Sequence, residues 1–274
     1  MLGKRTLVMG VLNVTPDSFS DGGKFLSAKR AVAAALAMER SGADILDIGA
    51  ESTRPGSTGI STEEELRRLV PVLEALRGRL QIPISVDTQK SEVAEAAIAA
   101  GAEIINDISG LKNDPAVAEV AAKHGVPLVL MHMRGTPLTM QQGPFAKNVL
   151  RDVTSGLRRS VASARRAGVA KSQIILDPGI GFGKSYEQNY ELLAKLSVIA
   201  TLGYPLLVGT SRKGFLGRTL ERDGKPAAAE DRMWGTAATV SASIFNGAHI
   251  VRVHDVDEMV QVAKVADAIV LGGG

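Results

Sequence analysis

Eight short apolar runs, alternating with longer helical stretches, predict an α/β protein. The expected architecture is a single (β/α)8 barrel spanning residues 1–274, with its active site at the C-terminal ends of the strands. Three observations carry that expectation. The runs are β-branched and nearly continuous in apolarity, as strands buried on both faces must be. Eight strand–helix units fit a chain of 274 residues, close to the roughly 250 that such barrels need. Each run is also followed by a polar residue: Asn13, Asp47, Asp87, Asn106, His132, Asp177, Ser211 and the pair Arg252/His254. One polar residue after a strand is usually a cap or turn former. Eight in succession point instead to a shared mouth. A doubly wound open sheet is the structural alternative.

The expected strands are 6–12, 44–48, 84–87, 104–106, 128–131, 174–176, 206–208 and 250–252. The Ala-rich stretch 28–40 reads as the first helix. Stretch 62–77 follows Ser61 and carries Glu63, Glu64 and Glu65 in its first turn, where carboxylates complement the helix dipole. Stretches 91–100, 115–123, 147–167, 187–196, 230–245 and 256–270 complete the set. Gly42, Gly101, Gly125 and Gly168 mark helix ends. No linker, low-complexity tract or charge block divides the chain.

Composition narrows the chemistry. The absence of Cys excludes disulfides, thiolate catalysis, Cys-bound zinc and Cys-bound iron–sulfur clusters, and it fits a reducing cytoplasm. The net charge of +3 is too small for a nucleic-acid footprint. Arg158, Arg159, Arg165 and Arg166 recur seven residues apart, opposite Val153, Leu157, Val161 and Ala164, and read as a solvated helix face. The longest uncharged stretch, 233–251, is too polar and Gly-broken to span a membrane. Lys4 and Arg5 precede an apolar run that Asn13 and Thr15-Pro16-Asp17 interrupt too early for a targeting segment.

Six loop motifs carry the functional signal. Residues 13–23 form a long polar loop whose Asp17 and Phe19 suit a lid closing over substrate. In 47–56, a hydroxyl, Arg54 and two glycines suit an oxyanion such as phosphate. The strand-end pairs at Asp87 and at Asn106-Asp107 suit a flat heterocycle rich in donors and acceptors. The run 176–184 looks like a phosphate-binding glycine loop but fails its spacing, because Pro178 stands five residues before Gly183. Residues 209–214 and Arg252/His254 follow the seventh and eighth strands, where barrels often hold phosphate. The four histidines show no metal-ligand spacing.

These motifs closely resemble those of the dihydropteroate synthase family of folate synthesis: NVTPDSFSDGG at 13–23, DIGAESTRPGS at 47–57, SVDT at 85–88, INDISG at 105–110, MHMRGTP at 131–137, LDPGIGFGK at 176–184, GTSRKGFLG at 209–217 and RVHDV at 252–256. They cover all eight strand ends in order. The one departure noted is Ala50, where many relatives carry Gly. The resemblance implies a transferase that condenses 6-hydroxymethyl-7,8-dihydropterin diphosphate with 4-aminobenzoate, with loss of diphosphate coming first. By position it implies Asp87, Asn106, Asp177 and Lys213 around the pterin, and Asn13, Thr53, Arg54, Arg252 and His254 around the diphosphate. Asn13 would act there through Mg2+. Phe19, Thr53, Pro55, Phe182, Ser211 and Lys213 would surround the aminobenzoate, and Asp17, Asp87 and Lys213 would be the catalytic set. It also implies no nucleic-acid or membrane partner, and a homodimer formed through the apolar helix near 230–245. A pterin-dependent methyltransferase has no diphosphate to hold, and a non-catalytic pterin-binding relative would show damage among these positions; none is present.

Overall fold

The computed structural model of the chain describes residues 3–15 and 24–272. Its strands are β1 (Leu7–Asn13), β2 (Ile45–Gly49), β3 (Ile84–Asp87), β4 (Ile104–Asp107), β5 (Leu128–Met131), β6 (Ile174–Asp177), β7 (Leu207–Val208) and β8 (Ile250–Val253). All pair in parallel, in the order β6-β5-β4-β3-β2-β1-β8-β7. A parallel bridge between Leu176 and Leu206, with Leu176 N–H donating to Pro205 O at 2.9 Å, joins β6 to the β7 edge and closes the ring. Closure removes the edges that an open sheet would leave unpaired, so the barrel stands and the doubly wound alternative falls.

Alternation along each strand sorts side chains between two cores. Leu7, Met9, Ile45, Ile104, Val129, Ile175, Leu207 and Ile250 form one apolar cluster, the plug of the barrel interior. The intervening residues, among them Val8, Leu46, Ile105, Leu130 and Val251, belong to the larger cluster that joins sheet to helices. Two residues beyond the plug, the same inward parity brings up Asp47, Asn106, Asp177 and Arg252. The floor of the mouth is therefore apolar, and polar groups begin one layer above it.

The helices α1 (Lys24–Arg40), α2 (Thr62–Leu76), α3 (Ser91–Ala99), α4 (Val117–His124), α5 (Val149–Arg166), α6 (Tyr186–Ala194), α7 (Leu196–Ala200), α8 (Gly214–Thr219), α9 (Met233–Phe245) and α10 (Val256–Val270) surround this sheet. Ser61 caps α2 by accepting from Glu64 N–H at 3.2 Å. Ser185 and Gln188 form a capping box on α6. The arginine face of α5 is exposed as expected, opposite buried Val153, Leu157 and Ala164. α7 and α8 were not foreseen, because five or six residues are too few to show a helical period. α9 begins at Met233, after a 3₁₀ turn over Glu230–Arg232. It turns Thr236, Thr239, Val240 and Ser243 inward and leaves Trp234 and Phe245 exposed. Among the described residues, no helix is long and apolar enough to cross a membrane.

Candidate functional site

The mouth is organised around Arg252. From β8 its Nε donates to Asp47 Oδ2 on β2 at 2.6 Å, and its Nη2 to Asp87 Oδ2 on β3 at 2.8 Å. Asn106 on β4 donates its amide N–H to the same Asp47 oxygen at 3.1 Å. Asp47 is fully buried. Two carboxylates thus share one guanidinium. Burial pushes the Asp87 carboxyl up to about 7, with Arg252 opposing and Asp47 adding to the rise. Arg252 sits above its ordinary value, because Asp47 and Asp87 outweigh its own burial. Asp47 Oδ1, Asn106 Oδ1 and Ser85 Oγ are buried without a hydrogen-bond partner. Unpaired buried acceptors cost stability, so these atoms mark where a donor-bearing ligand or water would bind.

Asp177 ends β6 and is 6% exposed, and one of its oxygens accepts from Gly179 N–H at 2.7 Å. Burial pushes this carboxyl up to about 6, against the pull of Lys213, Lys184 and Arg252. Lys213 lies over the Phe182 ring, its Nζ 4.0 Å from the centroid. Burial and Arg252 push its ammonium down to about 8, with Asp177 and Asp87 resisting. The glycines of 179–183 serve close packing. A Cβ on Gly179 (φ +67°) would sit 2.0 Å from His132 O, and one on Gly183 (φ +69°) would sit 2.3 Å from Arg134 O.

The loop after β7 is stitched to the end of β8 by two adjacent pairs. Ser211 Oγ accepts from His254 N–H at 3.1 Å and faces His254 Nδ1 at 3.0 Å. Arg212, at φ +58°, pairs in a two-pronged contact with Asp255. Burial, then Arg252, Arg212 and Lys213, push His254 down to about 4. With the imidazole neutral and Nδ1 taken by Ser211, Nε2 is the ring nitrogen left for a ligand.

The sequence expectations fall into three groups. Asp87, Asn106 and Arg252 join one network; Lys213 meets Phe182, and Ser211 meets His254. Thr53, Arg54 and Pro55 lie on the β2–α2 loop, with no polar side-chain contact to that network. Their loop is fastened instead by Lys90, whose Nζ donates to Glu51 at 2.6 Å, to Glu65 at 2.5 Å and to Ile60 O at 2.9 Å. Gly56 N–H reaches Pro137 O of the β5 loop at 2.9 Å. Asp17 and Phe19 lie outside the described residues. Asp107 does not join Asn106 in facing the mouth: the next residue of a strand has the opposite parity, and its carboxylate accepts from Ser109 and Leu111 N–H at 2.8 and 2.6 Å. Asp47 was named as a polar strand end but given no role; its inward parity beneath Arg252 was the signal.

Among the described residues, no group of three His, Cys, Asp or Glu is gathered as a metal cage. The half-buried Asn13 amide at the end of β1 is the residue there that suits Mg2+. That ion takes one or two protein oxygens, with phosphate oxygens and waters supplying the others. His132 contacts Lys184, whose Nζ lies 3.1 Å from its Nδ1.

With this geometry in view, comparison with known proteins is specific. Residues 9–254 match the family model described as pterin binding enzyme. A dihydropteroate synthase of Synechocystis is 51% identical over 267 residues, covering 97% of this chain and 91% of that one. A Clostridium difficile dihydropteroate synthase, crystallised in the presence of pteroic acid, superposes with a TM-score of 0.91 at 44% identity, with 98% of each chain covered. The Xanthomonas albilineans enzyme with 4-aminobenzoic acid superposes at 0.89 and 44% identity, covering 97% of this chain and 93% of that one.

Removing the central cation tests the network. In Arg252→Met, Asp87 loses the guanidinium that opposes its rise, so its carboxyl retains a proton to higher pH than in wild type. A carboxyl raised on folding stabilises the fold at low pH, and that contribution is lost as pH rises. Because wild-type Asp87 itself holds its proton up to about 7, the deficit against wild type in urea unfolding is expected to grow as pH rises through 7, from about pH 6 to about pH 9, reaching about 3–5 kcal/mol. A deficit that ignores pH would contradict the assignment.

Proposed function

Since the chain belongs to the dihydropteroate synthase family of pterin-binding enzymes, and is on that ground a transferase joining a dihydropterin diphosphate to 4-aminobenzoate, we propose how its own residues carry out that reaction. The observation that supports the reading best is the buried acceptor set of Asp177 and Asn106 beside Lys213. Asp177 retains oxygen capacity beyond its bond to Gly179, and Asn106 Oδ1 has no partner. A pterin edge offers a ring N–H and an exocyclic amine, which one carboxylate can accept together, while Asn106 takes a further donor. Lys213 supplies an N–H donor to ring nitrogen or carbonyl. Its hydrocarbon stem and Phe182 form the apolar wall.

The diphosphate falls to the opposite side. Arg252 has committed one N–H at Nε and one at Nη2 to Asp47 and Asp87, which leaves the two Nη1 donors and the second Nη2 donor. His254 adds Nε2–H, and Thr53 and Arg54 approach from the β2–α2 loop. Donors fixed before substrate arrives stabilise charge as it develops on a leaving group without reorganising. Departure of diphosphate leaves a pterin methylene cation, which the Asp87 carboxylate stabilises; Asp17, which lies outside the described residues, is assigned to the same task by the family resemblance alone. Mg2+, when bound at Asn13, supplies further charge neutralisation on the phosphate oxygens. The aminobenzoate enters against Phe182, Ser211, Lys213, Pro55 and Phe19. Its amine is nucleophilic at neutral pH, so the site needs no strong base. Keeping water out of the mouth protects the cation from being trapped by it.

A second copy of the chain is the partner proposed for the exterior. The outer face of α9 and the neighbouring α10 expose Trp234 (76%), Phe245 (50%), Val265 (63%) and Ile269 (62%). Large apolar side chains grouped on adjacent helices mark an interface. A two-fold pairing through α9 covers them on both copies at once. A cytoplasmic location fits the Cys-free composition.

Purified protein given the pterin diphosphate and Mg2+ is expected to release pyrophosphate in step with dihydropteroate, and only when 4-aminobenzoate is present. Pterin binding without release would overturn the catalytic reading. Asn13→Ala is expected to lower kcat about 10- to 100-fold, and unchanged turnover at saturating Mg2+ would sink the role given to it. Light scattering at micromolar concentration is expected to give twice the 28.7 kDa chain mass, whereas a monomer would refute the α9 interface.

A further inference from the structure

Lys184 closes a motif that looked like a phosphate loop, yet the reaction outlined above gives it nothing to do. Its side chain is 2% exposed and points away from solvent into the seam between the β5 and β6 loops. The ammonium donates to His132 O at 2.9 Å, to Phe182 O at 3.0 Å and to His132 Nδ1 at 3.1 Å. An ammonium has three N–H bonds, and all three are used. His132 Nδ1 must then be an acceptor, so its proton sits on Nε2, which faces Asp152 Oδ2 at 3.6 Å. Burial and the neighbouring Lys184 push the His132 imidazolium down to about 2, in keeping with a neutral ring. The seat is tightly filled: a Cβ on Gly156 of α5 would sit 2.4 Å from the His132 ring.

We propose that Lys184 is a positioning residue for the pterin and aminobenzoate subsites. Its buried ammonium pins the β6 loop between Asp177 and Phe182 to the β5 loop, and it places a positive charge behind the Asp177 carboxylate. The first part follows from geometry. Lys184 bonds the carbonyl of Phe182, whose ring supports Lys213. It also bonds the His132 carbonyl, against which Gly179 packs, and Gly179 N–H in turn holds Asp177. The second part follows from charge. Asp177 faces three cations, Lys213 from the β7 loop, Lys184 from its own loop and Arg252 from β8, with burial opposing them. Lys184 is itself pushed down to about 7 by burial, with Asp177 and Asp152 holding its proton on and Lys112 and Lys213 opposing. A neutral residue at 184 would remove one of the three charges that keep Asp177 ionised.

The inference rests on the pterin reading of the mouth, and the test separates the two. Binding of 6-hydroxymethyl-7,8-dihydropterin to the full chain is measured by calorimetry from pH 5 to pH 8, together with aminobenzoate kinetics. Asp177→Asn is expected to weaken pterin binding throughout; if it does not, the pterin reading itself fails. Lys184→Gln keeps two N–H donors and loses the charge. Its acid limb of pterin binding is expected to move up by about one pH unit, which is about fivefold weaker binding at pH 6, approaching tenfold at pH 5, and little change at pH 8. Lys184→Met loses the donors as well. It is expected to show the same shift and, in addition, a KM for aminobenzoate raised about tenfold with a smaller change in kcat, because Phe182 loses its tether. If Asp177→Asn weakens binding while a folded Lys184→Gln titrates like wild type, the inference is overturned. Failure of both Lys184 variants to fold would show a role in folding alone and would overturn it equally.

Discussion

Everything at the mouth of this barrel depends on one buried cation held between two carboxylates. Arg252 reaches across from β8 to Asp47 on β2 and Asp87 on β3, residues 205 and 165 positions away in the chain. Charges taken out of water are costly unless paired and hydrogen-bonded. Removing any member of the triad exposes the others to that cost. The triad therefore specifies how three strands align at their C-terminal ends, and it does so with groups that stand at the mouth. Asn106 enters through the Asp47 oxygen it shares with Arg252, which leaves its own buried carbonyl oxygen without a protein partner.

Around this centre the loops are fastened to one another, each by a few polar contacts. Lys90 ties the β2–α2 loop to α2 through Glu51 and Glu65. Ser211 with His254, and Arg212 with Asp255, tie β7 to β8. Lys184 with His132 ties β5 to β6. Each fastener draws on residues next to those proposed to meet substrate. Those side chains are thus held in place before any ligand binds, which is what stabilising a developing charge requires. The apolar plug beneath supplies the rigid floor, and its low polarity raises the strength of every electrostatic contact above it.

Several of these relations explain features that look contradictory in isolation. The glycines of 179–183 resemble a phosphate cradle, but their backbones lie too close to His132 and Arg134 to admit a side chain. Lys184 resembles a phosphate ligand, but its three donors are spent on protein acceptors. Asp107 resembles a partner of Asn106, but strand alternation sends it to cap the turn that follows. For the glycines and Lys184 the failed loop spacing had already spoken against phosphate; for Asp107 the residue type was read correctly and its direction was not.

The sequence by itself determined the barrel and the membership of its mouth. Apolar runs of strand length, separated by helical periods, are local patterns, and the polar residues at their ends are adjacent to them in the chain. All eight strands consequently appear within one or two residues of expectation, and Asp87, Asn106, Asp177, Lys213, Arg252 and His254 all stand at their C-terminal ends. Only the tertiary structure decided the pairings. That Arg252 would take Asp47 and Asp87, that Lys184 would take His132, and that Ser211 would hold His254 depends on closure of the ring and on shear between strands. Those set contacts between residues far apart in sequence, and no local period encodes them. The short helices α7 and α8 escaped for the same reason: their stability comes from packing rather than from a repeat long enough to be seen.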